Sequence, residues 1–214
     1  MVRRKGALAV ALTAAFATLA VLVATGTLNG LDQWSVDHLM PGLTDGSRRP
    51  SFVDAAVPLR HASWGTGLDV VANVVTLPAQ ALVASALVGV CCLALWRRDL
   101  RRAALAWGGA WLAGNAVEVL CKATLARPLL HAHGDALVAF QSSYPSGHTL
   151  RSLLLAAAVA AVWPLARRWV AAWAGASLVL LELGGFHVPS DIAGGLLLAL
   201  LLCLPIWAAR RAGL

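Results

Sequence analysis

Three short segments of this 214-residue chain carry residue types that can do chemistry on a phosphate. The first holds Lys122, Arg127 and Pro128, the second reads Pro145-Ser146-Gly147-His148, and the third runs from His187 through Pro189 to Asp191. Lys122 offers a point charge and Arg127 a planar fork, a pair suited to phosphate oxygens. The same pair also fits two cations snorkelling at a membrane boundary, with Glu118 four residues before Lys122 in the favourable helical order. Pro145 suits a helix start, because its missing N–H goes unused there. The backbone N–H groups of Ser146, Gly147 and His148 would then face outward as an anion site, and Gly147 would let the anion come close. A plain helix cap beside an interfacial histidine is the other reading of that segment. Asp191 lies in the first turn opened by Pro189, where it either caps the helix or orients His187 and raises its basicity. In the second case the other ring nitrogen is left to attack.

Together the three segments fit phosphoryl transfer. Cations and a helix N-terminus hold the phosphate, one histidine attacks, and a second protonates the leaving oxygen. The carboxylates are too few and too paired for a magnesium cage, and His131 and His133 alone are weak zinc ligands. No metal and no other cofactor is expected.

The elements that must position these residues follow from composition. Hydrophobic residues make up 59% of the chain and charged residues 13%, against about 25% charged in an ordinary soluble domain. Disorder and a water-facing globule are both excluded, and an all-α polytopic membrane protein is indicated. Six apolar runs, at about 6–28, 68–95, 103–123, 146–165, 169–186 and 189–208, are expected as transmembrane helices of a single domain covering 1–214. The first run follows Arg3, Arg4 and Lys5 and exceeds the length of a signal-peptide core, so it reads as an uncleaved span. The polar stretch 29–67, broken by Pro41, Gly42, Gly46 and Pro50, is the longest non-spanning segment, with Trp34 and Trp64 as interface anchors. Cys91, Cys92, Cys121 and Cys203 all lie inside apolar runs, without zinc-ligand spacing, and read as small core residues.

Net charge is +7, from 17 basic and 10 acidic residues. The basic residues form clusters between apolar runs, which marks membrane loops and not a nucleic-acid surface. With both termini cytoplasmic, Arg3, Arg4, Lys5, Arg97, Arg98, Arg101, Arg102, Arg167, Arg168, Arg210 and Arg211 all fall on the cytoplasmic side. Of the acids, only Asp99 falls on a cytoplasmic loop. This orientation brings the 124–145 loop and the 186–191 turn to the same extracytoplasmic face. Glu118, Lys122, Arg127, His148, Arg151, Glu182, His187 and Asp191 all lie near the outer ends of runs three to six. Ionisable groups so placed are functional candidates by default.

The three segments resemble the motifs of the membrane type 2 phosphatidic acid phosphatase (PAP2) family, which is related to vanadium-dependent haloperoxidases. That family carries Lys…Arg-Pro, Pro-Ser-Gly-His and Ser-Arg…His-x-x-x-Asp on a six-span helical bundle; the counterparts here are Lys122…Arg127-Pro128, Pro145–His148 and His187…Asp191. The resemblance covers roughly residues 68–208. It implies a metal-independent lipid phosphatase in which His187 forms a phosphohistidine, Asp191 orients it and His148 is the general acid. Lys122, Arg127, Ser146 and Gly147 would bind the phosphate. The substrates it implies are phosphatidate, phosphatidylglycerophosphate or polyprenyl pyrophosphate. Two departures stand out. Four residues, not six, separate Lys122 from Arg127, with Leu129 and Leu130 after Pro128. The third motif's Ser-Arg is replaced by Leu180 and Leu181.

Losing a guanidinium from a phosphate site typically costs a few kcal/mol. Arg151, one turn along the same helix face from His148, is a candidate substitute; pairing with Glu182 or Asp191 is its alternative fate. The expectation is a plasma-membrane enzyme with an extracytoplasmic site, acting on a lipid phosphate in the bilayer and not on nucleic acid. The alternative is a catalytically impaired relative that binds lipid phosphate or a partner. A carrier fits less well, because the polar residues gather at one face and not at the bilayer midplane.

Overall fold

In the computed structural model, which describes residues 2–43 and 66–211, each expected apolar run is helical. The order is α1 (Val2–Ala24), α2 (Asn29–Leu39), α3 (Thr66–Thr76), α4 (Ala81–Arg97), α5 (Arg101–Thr124), α6 (Gly147–Val162), α7 (Arg167–Leu183) and α8 (Pro189–Arg211). A two-stranded hairpin, β1 (His131–Ala132) with β2 (Asp135–Ala136), interrupts the 124–145 loop. Its turn places His133 and Gly134 at φ 52° and 92°. Two successive left-handed residues match the right-handed twist of the flanking strands.

The run at 68–95, expected as one span, is instead a bent pair. α3 and α4 meet at 45° across a 3₁₀ turn at Leu77–Ala79. Pro78 explains the break, since it has no N–H to continue the ladder and disfavours helix in the residue before it. The carbonyl of Ala79 freed at this bend accepts a hydrogen bond from Arg151 Nε at 2.9 Å.

By length and apolar composition, Gly6–Ala24 and Pro189–Ile206 can each cross a membrane, and the bent pair makes a third candidate. The other runs fall short for physical reasons. Asn115 and Glu118 interrupt the apolar character of α5, while α6 and α7 are only 16 and 17 residues long.

α6 stands at the centre, packed against α4, α5, α7 and α8. Leu150, Leu154, Ala158 and Val162 on α6 form the main core with Trp107 and Trp111 of α5, Val88 and Leu95 of α4, and Leu198 and Cys203 of α8. The four cysteines are free; Cys91 and Cys203 are buried, whereas Cys92 and Cys121 are only partly so. Arg98 Nη1 donates to the Val162 carbonyl at 2.7 Å and so closes the far end of α6. A second cluster sits above the bundle, where Val36 of α2 and Met40, just past its end, pack on Leu130, Leu137, Phe140 and Val188. The described part of the 29–67 stretch thus buries one face, with Asp32, Ser35 and Val36, and exposes the other, with Leu31 and Trp34. It folds over the end of the bundle that carries the three motifs. Residues 44–65, including Arg48, Arg49, Arg60 and Trp64, lie outside the described residues.

Candidate active site

α6 starts just after Pro145, which precedes the N-cap and does not sit in the first turn, and the Ser146 N–H expected to face an anion is instead taken by the fold. Ser146 is the N-cap, its Oγ accepting the Thr149 N–H at 3.1 Å. Its own N–H donates to the Asp191 carbonyl at 2.9 Å, which ties the second motif to the third. The close approach of α8 to this turn requires glycine at 195. A Cβ there would stand 2.5 Å from the Ser146 carbonyl oxygen and 2.8 Å from Thr149 Cβ.

His187 leaves α7 through a turn in which Gly185 takes φ 65° and the N–H groups of Phe186 and His187 both donate to the Leu181 carbonyl. The imidazole is buried, with Nδ1 3.3 Å from Asp191 Oδ2. His148 faces it, with ring centroids 5.8 Å apart and planes tilted by 57°. Phe186 lines the same cleft, 5.9 Å from His148.

Arg127 is fully buried and held by acids. Nη1 donates to Asp32 Oδ2 at 2.8 Å, and Nη2 donates to Ser190 Oγ at 3.1 Å and to the Asp191 carboxylate. Asp32 also accepts the Ser190 N–H at 3.1 Å and its hydroxyl at 2.6 Å. Asp191 therefore stands between Arg127 and His187, and the guanidinium fixes the carboxylate that fixes the ring. Burial holds the Asp32 carboxyl above the usual carboxylate range, against the lowering effects of the Ser190 hydroxyl and Arg127. An acid whose folded pKa is raised binds its proton more tightly in the native state. Its contribution to stability is complete below the unfolded value of about 3.9 and is lost as pH rises through the folded one. Asp32→Asn removes that slope. The melting temperature of the variant, relative to wild type, is expected to climb as pH rises above about 4, read by thermal unfolding in detergent across a pH series.

Glu118 gathers the remaining cations. Its Oε1 accepts from Lys122 at 2.7 Å and its Oε2 from Arg151 Nη1 at 2.6 Å. Arg151 also donates to Asn115 Oδ1 at 3.1 Å. The pairing of Arg151 with Glu182 or Asp191, open from the sequence, does not occur. Glu182 instead accepts from Ser35 Oγ of α2 at 2.7 Å. The Glu118 carboxylate also fills the space beside Gly147, where any Cβ would overlap it. Leu181, at the place of the resembled family's third-motif arginine, is fully buried against Ala72 and Phe186.

The catalytic and phosphate-binding candidates thus form two adjoining groups joined at the start of α6. His148, His187 and Asp191 form one group with Arg127, while Lys122, Arg151 and Gly147 form another around Glu118, and Ser146 bridges the turns. Asp32, Ser190 and Asn115 join them without having been singled out by spacing. The one signal for Asp32 is indirect: a guanidinium carried into a membrane core needs a carboxylate, and the 29–67 stretch supplies several. Among the described residues, no group of three or more His, Cys, Asp or Glu side chains is arranged to hold a metal.

In fold the chain is similar to the crystal structure of a transmembrane PAP2 type phosphatidylglycerolphosphate phosphatase from Bacillus subtilis. The TM-score is 0.60 at 18% identity, over 95% of this chain and 96% of that one. No protein-family model matches the chain, and no curated protein matches it in sequence.

Proposed function

We propose that this protein is an integral membrane lipid phosphatase that releases phosphate from a lipid phosphate monoester or pyrophosphate through a phosphohistidine. The observation that carries the reading is the His187–Asp191 pair, with His148 facing it across one buried cleft. Asp191 fixes the ring through Nδ1 and so directs Nε2 at phosphorus. As the Nε2–P bond forms, the P–O bond breaks and its electron pair leaves with the lipid oxygen, which takes a proton from His148. His148, now neutral, takes a proton from water, whose oxygen attacks the phosphohistidine. Inorganic phosphate leaves and His187 is regenerated. Lys122, Ser146, Gly147 and Arg127 hold the phosphate in this scheme, with Arg151 as substitute for the guanidinium missing at Leu181.

The single domain spans 1–214 and crosses the membrane six times in this reading, with both termini cytoplasmic and the site at the extracytoplasmic face. The basic clusters support that orientation, and the polar convergence on one end of the bundle supports the depth of the site. A cavity of about 270 Å³ lined by Pro78, Leu87, Val90, Leu155, Val159 and Trp163 supports an acyl or prenyl tail as part of the substrate. Leu155 and Val159 lie one and two turns along α6 from Arg151, so headgroup and tail would fall in the right order. The fold likeness to a lipid phosphatase supports the same substrate class.

A second reading rests on Arg127, whose two terminal nitrogens are both engaged by carboxylates, and on the apolar Leu181. Those features suit a protein that binds lipid phosphate without cleaving it. Phosphate release by the purified protein in detergent decides between them, measured in EDTA over phosphatidate, phosphatidylglycerophosphate and undecaprenyl pyrophosphate, with a soluble sugar phosphate as control. Turnover of at least one lipid, unchanged by EDTA and absent with the sugar phosphate, is expected. A folded protein that binds these lipids but releases nothing overturns the catalytic reading.

A further inference from the structure

We infer that Glu118 is a built-in competitor for the anion subsite: its carboxylate occupies the place between Lys122 and Arg151 that a substrate phosphate would take. The inference rests on the reading of that cluster as part of a phosphate site, and it adds what controls entry to it.

Three observations meet at one carboxylate. Lys122 Nζ and Arg151 Nη1 approach different oxygens of Glu118, at 2.7 and 2.6 Å, as they would approach two oxygens of a phosphate. The carboxylate is buried, with 6% of its side chain exposed. It also fills the space against Gly147, at the first turn of α6. Cations aligned in this way give short charge-assisted bonds, and a single carboxylate between them satisfies both.

A phosphate cannot share this place with an ionised carboxylate, because like charges at contact distance in a buried site repel strongly. Substrate therefore binds by displacing Glu118 from Lys122 and Arg151. The binding energy of the phosphate is reduced by the two bonds Glu118 gives up. The device explains how two cations are kept in a membrane interior while the site is empty, where an uncompensated charge is costly. It also favours a ligand carrying more negative charge than the carboxylate it replaces, as a phosphate monoester or pyrophosphate does and a singly charged phosphodiester does not.

Binding of inorganic phosphate to the purified protein in detergent and EDTA tests the inference without any turnover. Titration calorimetry would compare wild type, Glu118→Gln, Glu118→Asp and the Glu118→Gln/Lys122→Ala double variant, with circular dichroism as the check on folding. Glu118→Gln keeps the shape but not the charge, and is expected to bind phosphate about 10- to 100-fold more tightly, as two charge-assisted bonds are released to the ligand. Glu118→Asp, one methylene too short to reach both cations, is expected to tighten binding by a smaller factor. Adding Lys122→Ala is expected to reverse the gain.

An unchanged or weaker dissociation constant in folded Glu118→Gln overturns the inference, as does phosphate binding in neither protein. If Glu118→Gln does not fold, an unchanged constant in Glu118→Asp does the same. A gain that survives Lys122→Ala also overturns it, since the anion would then sit elsewhere. A protein that behaves as expected here yet hydrolyses no lipid phosphate would overturn the phosphatase reading alone.

Discussion

Alanine at position 187 is expected to lower phosphate release from the best lipid substrate on the order of 10⁴-fold or more, while the protein stays folded. The size follows from the role. Removing a nucleophile removes the covalent route altogether, whereas removing a general acid such as His148 typically costs about 10²–10⁴-fold. The fold survives because His187 is not a core residue in the packing sense. Its ring meets Asp191 and His148 at the cleft, and its backbone holds the turn through the Leu181 carbonyl, which alanine retains. Release kinetics beside a thermal melt check both halves. Acid-quenched labelling with a ³²P-labelled lipid adds an independent readout: an acid-labile phosphoenzyme in wild type and none in the variant. Residual activity within tenfold of wild type would remove His187 from the mechanism.

Replacing Arg127 with leucine is expected to be the most destabilising single change at the site. Its guanidinium is the shared partner of Asp32 and Asp191, and both carboxylates are essentially inaccessible to water. Breaking a buried ion pair by removing one partner typically costs about 3–5 kcal/mol, because the charge left behind stays unpaired. Here two are left. The second carboxylate is the one bonded to His187, so the remaining folded protein is expected to lose catalytic rate as well as stability. Adding Asp32→Asn to Arg127→Leu removes one stranded charge and is expected to recover part of the lost stability, while the rate stays low. The two responses separate the structural role of the pair from its effect on the nucleophile, and a double-mutant cycle on melting temperature and kcat measures them. Equal recovery of both would mean that Arg127 does no more than hold the fold.

The two cation clusters show the division of labour in this site. Arg127 is fully buried, bound to α2 through Asp32 and to α8 through Asp191 and Ser190, and through Asp191 it is linked to His187. Lys122 and Arg151 stand nearer the α6 N-terminus, and only one carboxylate lies between them. Lys122 is a third exposed at its side chain, unlike Arg151 and Arg127. In the proposed scheme Lys122 is therefore the cation that an arriving phosphate would meet first. Arg127 and Lys122 thus rest on different carboxylates, and the reason is the four-residue spacing between them. α5 ends at Thr124, so Arg127 falls beyond the helix and turns toward α2 and α8, while Lys122 stays on the helix with Glu118.

Much of the helical framework is legible in the amino-acid sequence. Apolar runs of helical length have to pair backbone groups internally, so the runs at 6–28, 103–123, 146–165 and 189–208 read as helices from hydrophobicity alone, and helices α1, α5, α6 and α8 occupy them, with α1 and α6 ending at Ala24 and Val162. Pro145 and Pro189 mark the starts of α6 and α8: Pro189 opens the first turn of α8, where proline costs nothing, and Pro145 stands just before the α6 N-cap, disfavouring helix upstream. The pair of Glu118 with Lys122 is readable because residues four apart share a helix face, and that of His187 with Asp191 because His187 lies in the short turn just before α8. What escapes is every contact made across the fold. Asp32 meets Arg127 over 95 positions of sequence, Arg151 meets Glu118 over 33, and Ser35 meets Glu182 over 147. Spacing in one sequence carries no signal at such separations. The packing of α2 over the bundle and the close approach of α5 to α6 settle which carboxylate neutralises which cation. The bend at Pro78 belongs to the same class. The proline is visible in the sequence, but the carbonyl it frees finds its donor in Arg151, on another helix. Helices, their starts and the short-range pairs depend on local backbone chemistry, which the chain carries at every position. The charge partners do not, because a buried ion pairs with whatever the neighbouring helix brings alongside it.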